Sequence, residues 1–176
     1  MPKFVLNIIL KQFDHLKPLK QTDTMANVYS QISMQLVFAV KNREALIKDN
    51  FREDLHKYIG GILRNKNHKP LAINSMHDHI HIFFGMYPCD IPALVRDLKS
   101  DSSTFIKNSG LSKSKFSWQD GYGIFSYTKS HRSMVIKYID NQQKHHKKKS
   151  FKEEYLKILK DLDIEYNDNY LFDFFG

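Results

Sequence analysis

The sequence predicts an α+β domain: a ferredoxin-like, RRM-like antiparallel sheet with helices on one face, followed by further C-terminal helices. Three observations predict it. A strict two-residue apolar period marks a strand at 32–40. Two stretches with apolar residues at helical spacing separate the strand-like segments. The signals follow the order β–α–β–β–α–β, with helices afterwards, which is the split βαβ arrangement. The chain has 176 residues, 41% hydrophobic and 13% aromatic, enough for one domain with a real core and too few for two. Only 7 Gly and 5 Pro exclude collagen-like and low-complexity architectures.

The elements follow in order. Residues 1–24 form an N-terminal extension of doubtful function, and 25–176 form the single domain. The apolar run Phe4 to Leu10 lacks the small-residue cleavage site of a signal peptide. Met25 opens a far more regular segment and is expected to be the natural start. Ile32, Met34, Leu36, Phe38 and Val40 alternate with Ser33 and Gln35, a strand with one buried face. Phe51, Leu55, Ile59 and Ile62 place a helix over 48–64, weakened by Gly60–Gly61 and ended by the stretch to Pro70. A strand at 71–76 leads into another at 79–86, with Ile80, Ile82 and Phe84 on one face and His79, His81 and Phe83 on the other.

Pro92 suits the first turn of the next helix, whose stripe is Leu94, Leu98, Phe105 and Ile106. A basic loop spans 107–115, and one or two short strands lie in 116–127 around Gly121 and Gly123. Ser130 is placed to cap a helix through Val135, Ile136 and Ile139 to about His146. A last amphipathic helix covers 151–162, and the tail from Asn167 is aromatic and acidic.

Charge and single residues narrow the function. The 27 Lys+Arg against 19 Asp+Glu leave +8, which suggests an anionic partner, nucleic acid first. Cys89 stands alone, so no internal disulfide forms, as expected in a reducing cytoplasm. No apolar stretch approaches the ~20 residues that span a bilayer, so no membrane partner is expected. His79 and His81 project to one strand face, about 6.5–7 Å apart at Cα, and could converge on one divalent metal. His-x-His is equally the pattern of two exposed strand histidines that bind nothing. Tyr138 and Gln142 are four apart on a predicted helix and share a face. A phenol is a nucleophile once its proton is removed, and an amide oxygen can ligate a metal; a Tyr among Ile neighbours also reads as core.

The segment 129–152 carries eight Lys or Arg against one acid, Asp140. Lys129, Arg132, Lys144, Lys147 and Lys148, with Lys113 and Lys115 of the earlier loop, make a candidate phosphate track. Such runs are also common on solvated faces. Lys99, Ser100, Ser102 and Ser103 could hydrogen-bond phosphates or form an ordinary polar helix face. Trp118, Tyr122, Phe125 and Tyr127 could stack on unpaired bases or fill the core.

Four segments in order, MANVYSQISMQLVFAVKNRE, MHDHIHIF, FSWQDGYGIFSY and VIKYIDNQQKHHKKKSFKEEY, resemble the single-tyrosine HUH transposases of bacterial insertion sequences, the transposase-IS200-like family, with REP-associated relatives. The resemblance covers Met25 to about Tyr166. It implies that Tyr138 is the nucleophile and that His79, His81 and Gln142 hold Mg²⁺ or Mn²⁺, and Lys99, Ser102 and the basic track, read from their own chemistry, are the candidate DNA contacts. It further implies single-stranded DNA with a hairpin as substrate, a covalent 5′-phosphotyrosine intermediate, and a homodimer whose subunits share the tyrosine helix in a bacterial cytoplasm. His77 stands where family members commonly have Pro, and Phe105 where they often have Trp. Two alternatives share these features: a domesticated REP-associated nuclease-transferase, and a non-catalytic RRM-like nucleic-acid-binding protein.

Overall fold

The computed structural model describes residues 29–41, 46–110, 115–145 and 150–174. The extension 1–24 and Met25 lie outside them. Strand β1 (Ile32–Ala39) pairs antiparallel with β3 (His79–Met86) and with β4 (Gly123–Tyr127), while β2 (Lys69–Ser75) pairs with β3. The order β2-β3-β1-β4 is that of the split βαβ fold. Helices α1 (Asp49–Asn65) and α2 (Ile91–Asn108) pack on one face. Leu36, Phe38, Ile80, Ile82 and Phe84 meet Phe51, Leu55, Ile59, Leu98 and Phe105 there, all at most 1% exposed. Each such side chain contributes roughly 1.5–3 kcal/mol on burial.

The expectation of one buried face on β1 is corrected. Val37 and Ala39 on the odd face are as buried as Leu36 and Phe38. The C-terminal helices fold back over that face. Helix α3 (Arg132–Asp140) sets Val135 and Ile139 on Ala72 and Phe83. After the short α4 (Gln142–His145), α5 (Phe151–Asp161) sets Phe151, Tyr155, Ile158 and Leu159 on Val37, Ala39 and Phe125. The aromatic tail completes this layer, with Phe172 4.8 Å from Tyr155 between ring centres.

Local boundaries follow from capping and packing. Gly60–Gly61 does not end α1, because the cost of ~1 kcal/mol per glycine is offset by its apolar face. Asn67, at φ +63°, turns the chain out of the helix. Pro70 sits inside β2, not before it; β2 is an edge strand, where a missing N–H is tolerated, and a register shift falls between Pro70 and Ala72. Asp90 caps α2 by accepting from the Ala93 N–H. Ser130 is not the cap of α3. It lies in a 3₁₀ turn (Lys129–His131) and its hydroxyl pairs with Thr128 Oγ1 at 2.8 Å. The predicted long helix is interrupted at Asn141. Asn74 Nδ2 donates to the Ile139 carbonyl at 2.8 Å and seats the end of α3 on β2. Ser150 and Glu153 form a capping box that starts α5.

Gly123 opens β4 where α5 crosses it. A Cβ there would lie 2.7 Å from Tyr155 Oη and 2.9 Å from Phe125 Cζ, so only glycine fits without a shift. Trp118 bridges Val40 and packs edge-on against Phe38 and Phe116. Trp118 and Phe125 are therefore core residues rather than surfaces for stacking bases, while Tyr122 and Tyr127 are half-buried.

Acid sensitivity follows from His56, which lies 2.8 Å from Ser75 Oγ. Burial, with a contribution from Arg52, lowers its pKa to about 4 from 6.5. Between pH 6.5 and 4 the unfolded chain binds this proton and the folded chain does not, so stability falls as pH falls through that window. The expected loss from this group is up to about 3 kcal/mol. Urea denaturation at pH 7, 5.5 and 4.5 should show His56→Gln losing less stability on acidification than the wild type; equal slopes would refute the assignment.

A buried cluster of two histidines, a tyrosine and a carboxylate

The odd face of β3 meets the C-terminal helices at its first turn. His79 and His81 are both fully buried, their ring centroids 5.3 Å apart and their planes at 70°. They are not the exposed pair that an unoccupied strand face would carry. Phe151 stacks on His79 with centroids 4.0 Å apart. The His79 Nδ1–H donates to Asp78 Oδ1 at 2.7 Å, which leaves the Nε2 lone pair facing inward. Gln35 of β1 holds His81 through its Nδ1 at 2.9 Å.

Glu154 of α5 closes the cluster. One carboxylate oxygen lies 3.6 Å from His79 Nε2 and the other 3.7 Å from His81 Nε2. Ligand atoms of His79, His81 and Glu154 lie within 4.8 Å of one another. The Tyr138 hydroxyl donates to Glu154 Oε1, and Gln142 Nε2 donates to the same oxygen at 3.2 Å. Tyr138 and Gln142 thus meet at Glu154 even though Asn141 separates their helices.

The electrostatics follow from burial. Desolvation pushes the His79 imidazole toward its neutral form, but the hydrogen bonds and charges of Asp78 and Glu154 outweigh it and hold its pKa above the ordinary value. Burial, and then the Glu154 carboxylate, push the Tyr138 phenol far above its usual range. Gln142 is fully buried, and its Oε1 has no hydrogen-bond partner among the described residues. Two imidazole nitrogens and a carboxylate within reach of one another suit a divalent cation, and Gln142 faces the cluster through its amide nitrogen. The His79, His81 and Glu154 donor set therefore fits a divalent metal.

Glu154 was not singled out from the sequence. Its signal was present: in the apolar stripe Phe151, Tyr155, Ile158 of an amphipathic helix, position 154 falls on the buried side. A carboxylate on that stripe needs partners.

The remaining predicted residues scatter. Ser102 is fully buried, accepting from Trp118 Nε1 at 2.8 Å and donating to the Leu98 carbonyl, so its hydroxyl is engaged within the core. Lys99 is spent on two carbonyls, Gln119 at 2.7 Å and Gly121 at 2.5 Å, and burial pulls its pKa down to about 8. Arg132 is half-buried and donates to Ser33 Oγ at 2.7 Å. Lys115, Lys129 and Lys144 are exposed. Lys113, Lys147 and Lys148 lie outside the described residues. His77 does not join the histidine pair; its Nδ1–H donates to the Ile47 carbonyl at 3.0 Å.

Residues 28–142 match the family described as transposase, IS200-like. The crystal structure of a candidate transposase from Deinococcus radiodurans R1 is similar at 21% identity, TM-score 0.54, covering 69% of this chain and 98% of that one. A REP-associated tyrosine transposase bound to a REP hairpin is similar at 16% identity, TM-score 0.52, covering 71% and 74%. At these identities the likeness carries the fold alone. No curated protein matches the sequence.

The cluster predicts a measurable cation affinity. Mn²⁺ at about 100 times its Kd is expected to stabilise the wild type by about 2.7 kcal/mol. The His79→Ala/His81→Ala variant is expected to show no such gain in a thermal melt. An equal gain in both would mean that the cation binds elsewhere.

Proposed function

The chain belongs to the IS200-like transposase family, and from that premise we propose that it cleaves and rejoins single-stranded DNA through a 5′-phosphotyrosine on Tyr138. The observation that carries this reading is the meeting of the Tyr138 hydroxyl with Glu154, His79 and His81, residues distant in sequence. A half-buried phenol beside two imidazoles and a carboxylate has no packing advantage over Phe, but it has the parts of a nucleophile site.

Tyr138 Oη attacks phosphorus. Its proton passes to the Glu154 carboxylate, which already accepts its hydrogen bond. The P–O3′ bond breaks, the leaving O3′ takes up the proton received by Glu154 and departs as a 3′-OH, and the 5′ phosphate stays on the tyrosine. Attack by a 3′-OH on that phosphorus reverses the step and frees the phenol. One phosphodiester is exchanged for another, so neither ATP nor water is consumed. His79, His81 and Glu154, with Gln142, would hold a divalent cation, which would polarise the scissile phosphate. Mg²⁺ or Mn²⁺ is the choice, because Glu154 adds a charged, hard carboxylate oxygen to the two imidazoles.

The DNA partner includes a hairpin in this reading, supported by the REP hairpin bound to the similar REP-associated enzyme. Exposed Lys115, Lys129 and Lys144 and the +8 charge support an anionic partner, and Lys113, Lys147, Lys148 and Arg132 are proposed to contact it as well. Lys99 and Ser102 are left out of it. No described helix is long and apolar enough to cross a membrane, and we place the activity in a bacterial cytoplasm. Within one chain the tyrosine helix α3 rests on the sheet, held by Asn74; a homodimer that shares α3 between its subunits would make the same contacts from one protomer to the other.

Tyr138→Phe is expected to abolish the SDS-resistant adduct on hairpin-bearing single strands. Glu154→Gln is expected to slow its formation by about 10²–10⁴-fold, the range for a lost proton acceptor. Identical products from Tyr138→Phe and wild type would refute the nucleophile and leave a binding protein. Light scattering of active enzyme decides the assembly: a fully active monomer excludes an obligatory exchange of α3 and favours the REP-associated type of enzyme.

A further inference from the structure

A cavity of about 630 Å³ opens between α3 and α5, beside the cluster. Tyr138 and Glu154 form part of its wall. Tyr127, Met134 and Leu162 give it a largely apolar lining, and the Lys157–Asp161 ion pair, 2.7 Å apart and more than half exposed, stands at its rim. The α5 side of this cavity lies beyond residues 28–142, the segment that matches the family.

We propose that this cavity receives the base of a nucleoside flanking the phosphate that Tyr138 attacks. The inference rests on the strand-transfer reading above for its choice of occupant. A phosphodiester held at the Tyr138 hydroxyl carries one nucleoside on each side, and a chain bound there must place both. The cavity begins at the Tyr138 ring itself, so one of them has an apolar slot within reach. Its volume falls in the range of small-molecule pockets, about 300–1,000 Å³. The lining suits a base better than a sugar or a phosphate. The Tyr127 ring and apolar side chains take its faces, and Lys157 and Asp161 offer a donor and an acceptor to its edge. Stacking of this kind contributes about 1–3 kcal/mol per base, or roughly 5–150-fold in binding.

The test uses the full chain with ¹³C-methyl methionine. Six methionines are present, and Met134→Leu identifies the Met134 signal. The probes are the four deoxynucleoside 5′-monophosphates and 2-deoxyribose 5-phosphate. A saturable ring-current shift of Met134 with at least one nucleotide is expected, with a Kd of about millimolar. None is expected with the sugar phosphate. Leu162→Trp fills the slot from the end of α5, and Lys157→Trp does so from the rim; each is expected to weaken binding at least tenfold with the melting midpoint retained. No shift with any nucleotide, an equal shift with the sugar phosphate, or wild-type binding by both folded variants overturns the proposal. The readout needs no cleavage. A shift without a Tyr138 adduct would keep the base pocket and sink strand transfer, and an adduct without a shift would do the reverse.

Discussion

β1 has no solvent face. It is one of the two inner strands of the sheet, hydrogen-bonded on both edges, and helices cover it above and below. Every side chain on it must therefore be apolar or have a bonding partner. The even positions are apolar and hold the domain together against α1 and α2. The odd positions include Ser33 and Gln35, and these connect outward to Arg132 at the start of α3 and to His81. The layer that carries the chemistry is thus wired into the strand that carries the fold. The sheet divides labour by face: one side supplies stability, the other positions reactive groups.

The second layer is organised by a buried charge. Glu154 is 6% exposed, and a carboxylate removed from water costs several kcal/mol unless it is met by hydrogen bonds or cations. It is met by the Tyr138 hydroxyl and the Gln142 amide, with both imidazoles within 4 Å. Three elements therefore converge on one group carried by a fourth. Packing alone would be better served by leucine at this position. That the site tolerates so much desolvated polarity, held by Asp78 and Gln35 behind the histidines, argues for a working centre.

Much of this was legible in the sequence. The two-residue period of β1 and β3 and the helical spacing of α1 and α2 are local patterns, and they located these elements to within a few residues. The His79–His81 platform follows from strand geometry alone. What failed were properties set by distant segments. Covering of the odd face of β1 depends on α5, far along the chain. Ser130 has a capping side chain, yet a 3₁₀ turn precedes α3, and Ser150 with Glu153 makes the box instead. Ser102 and Lys99 are polar residues on a helix, and only the fold reveals that Trp118 and two carbonyls already use them. Glu154 could have been found by asking why an acid interrupts an apolar stripe. Tyr138 and Gln142 were paired on the assumption of one continuous helix, and they meet through Glu154 across a break.

Gly123 gives the arrangement an unusual dependency. Its missing side chain admits Tyr155 of α5 to within 2.7 Å of where a Cβ would be. Tyr155 follows Glu154 directly in sequence. Any residue larger than glycine must displace the Tyr155 ring at this crossing, and a shift of α5 that made room would carry the carboxylate one position earlier with it. The hydrophobic layer under α1 and α2 would not feel the displacement. Selection on a backbone position that touches no reacting atom would thus register as selection on reactivity, and a chain altered there would be intact in shape and silent in chemistry.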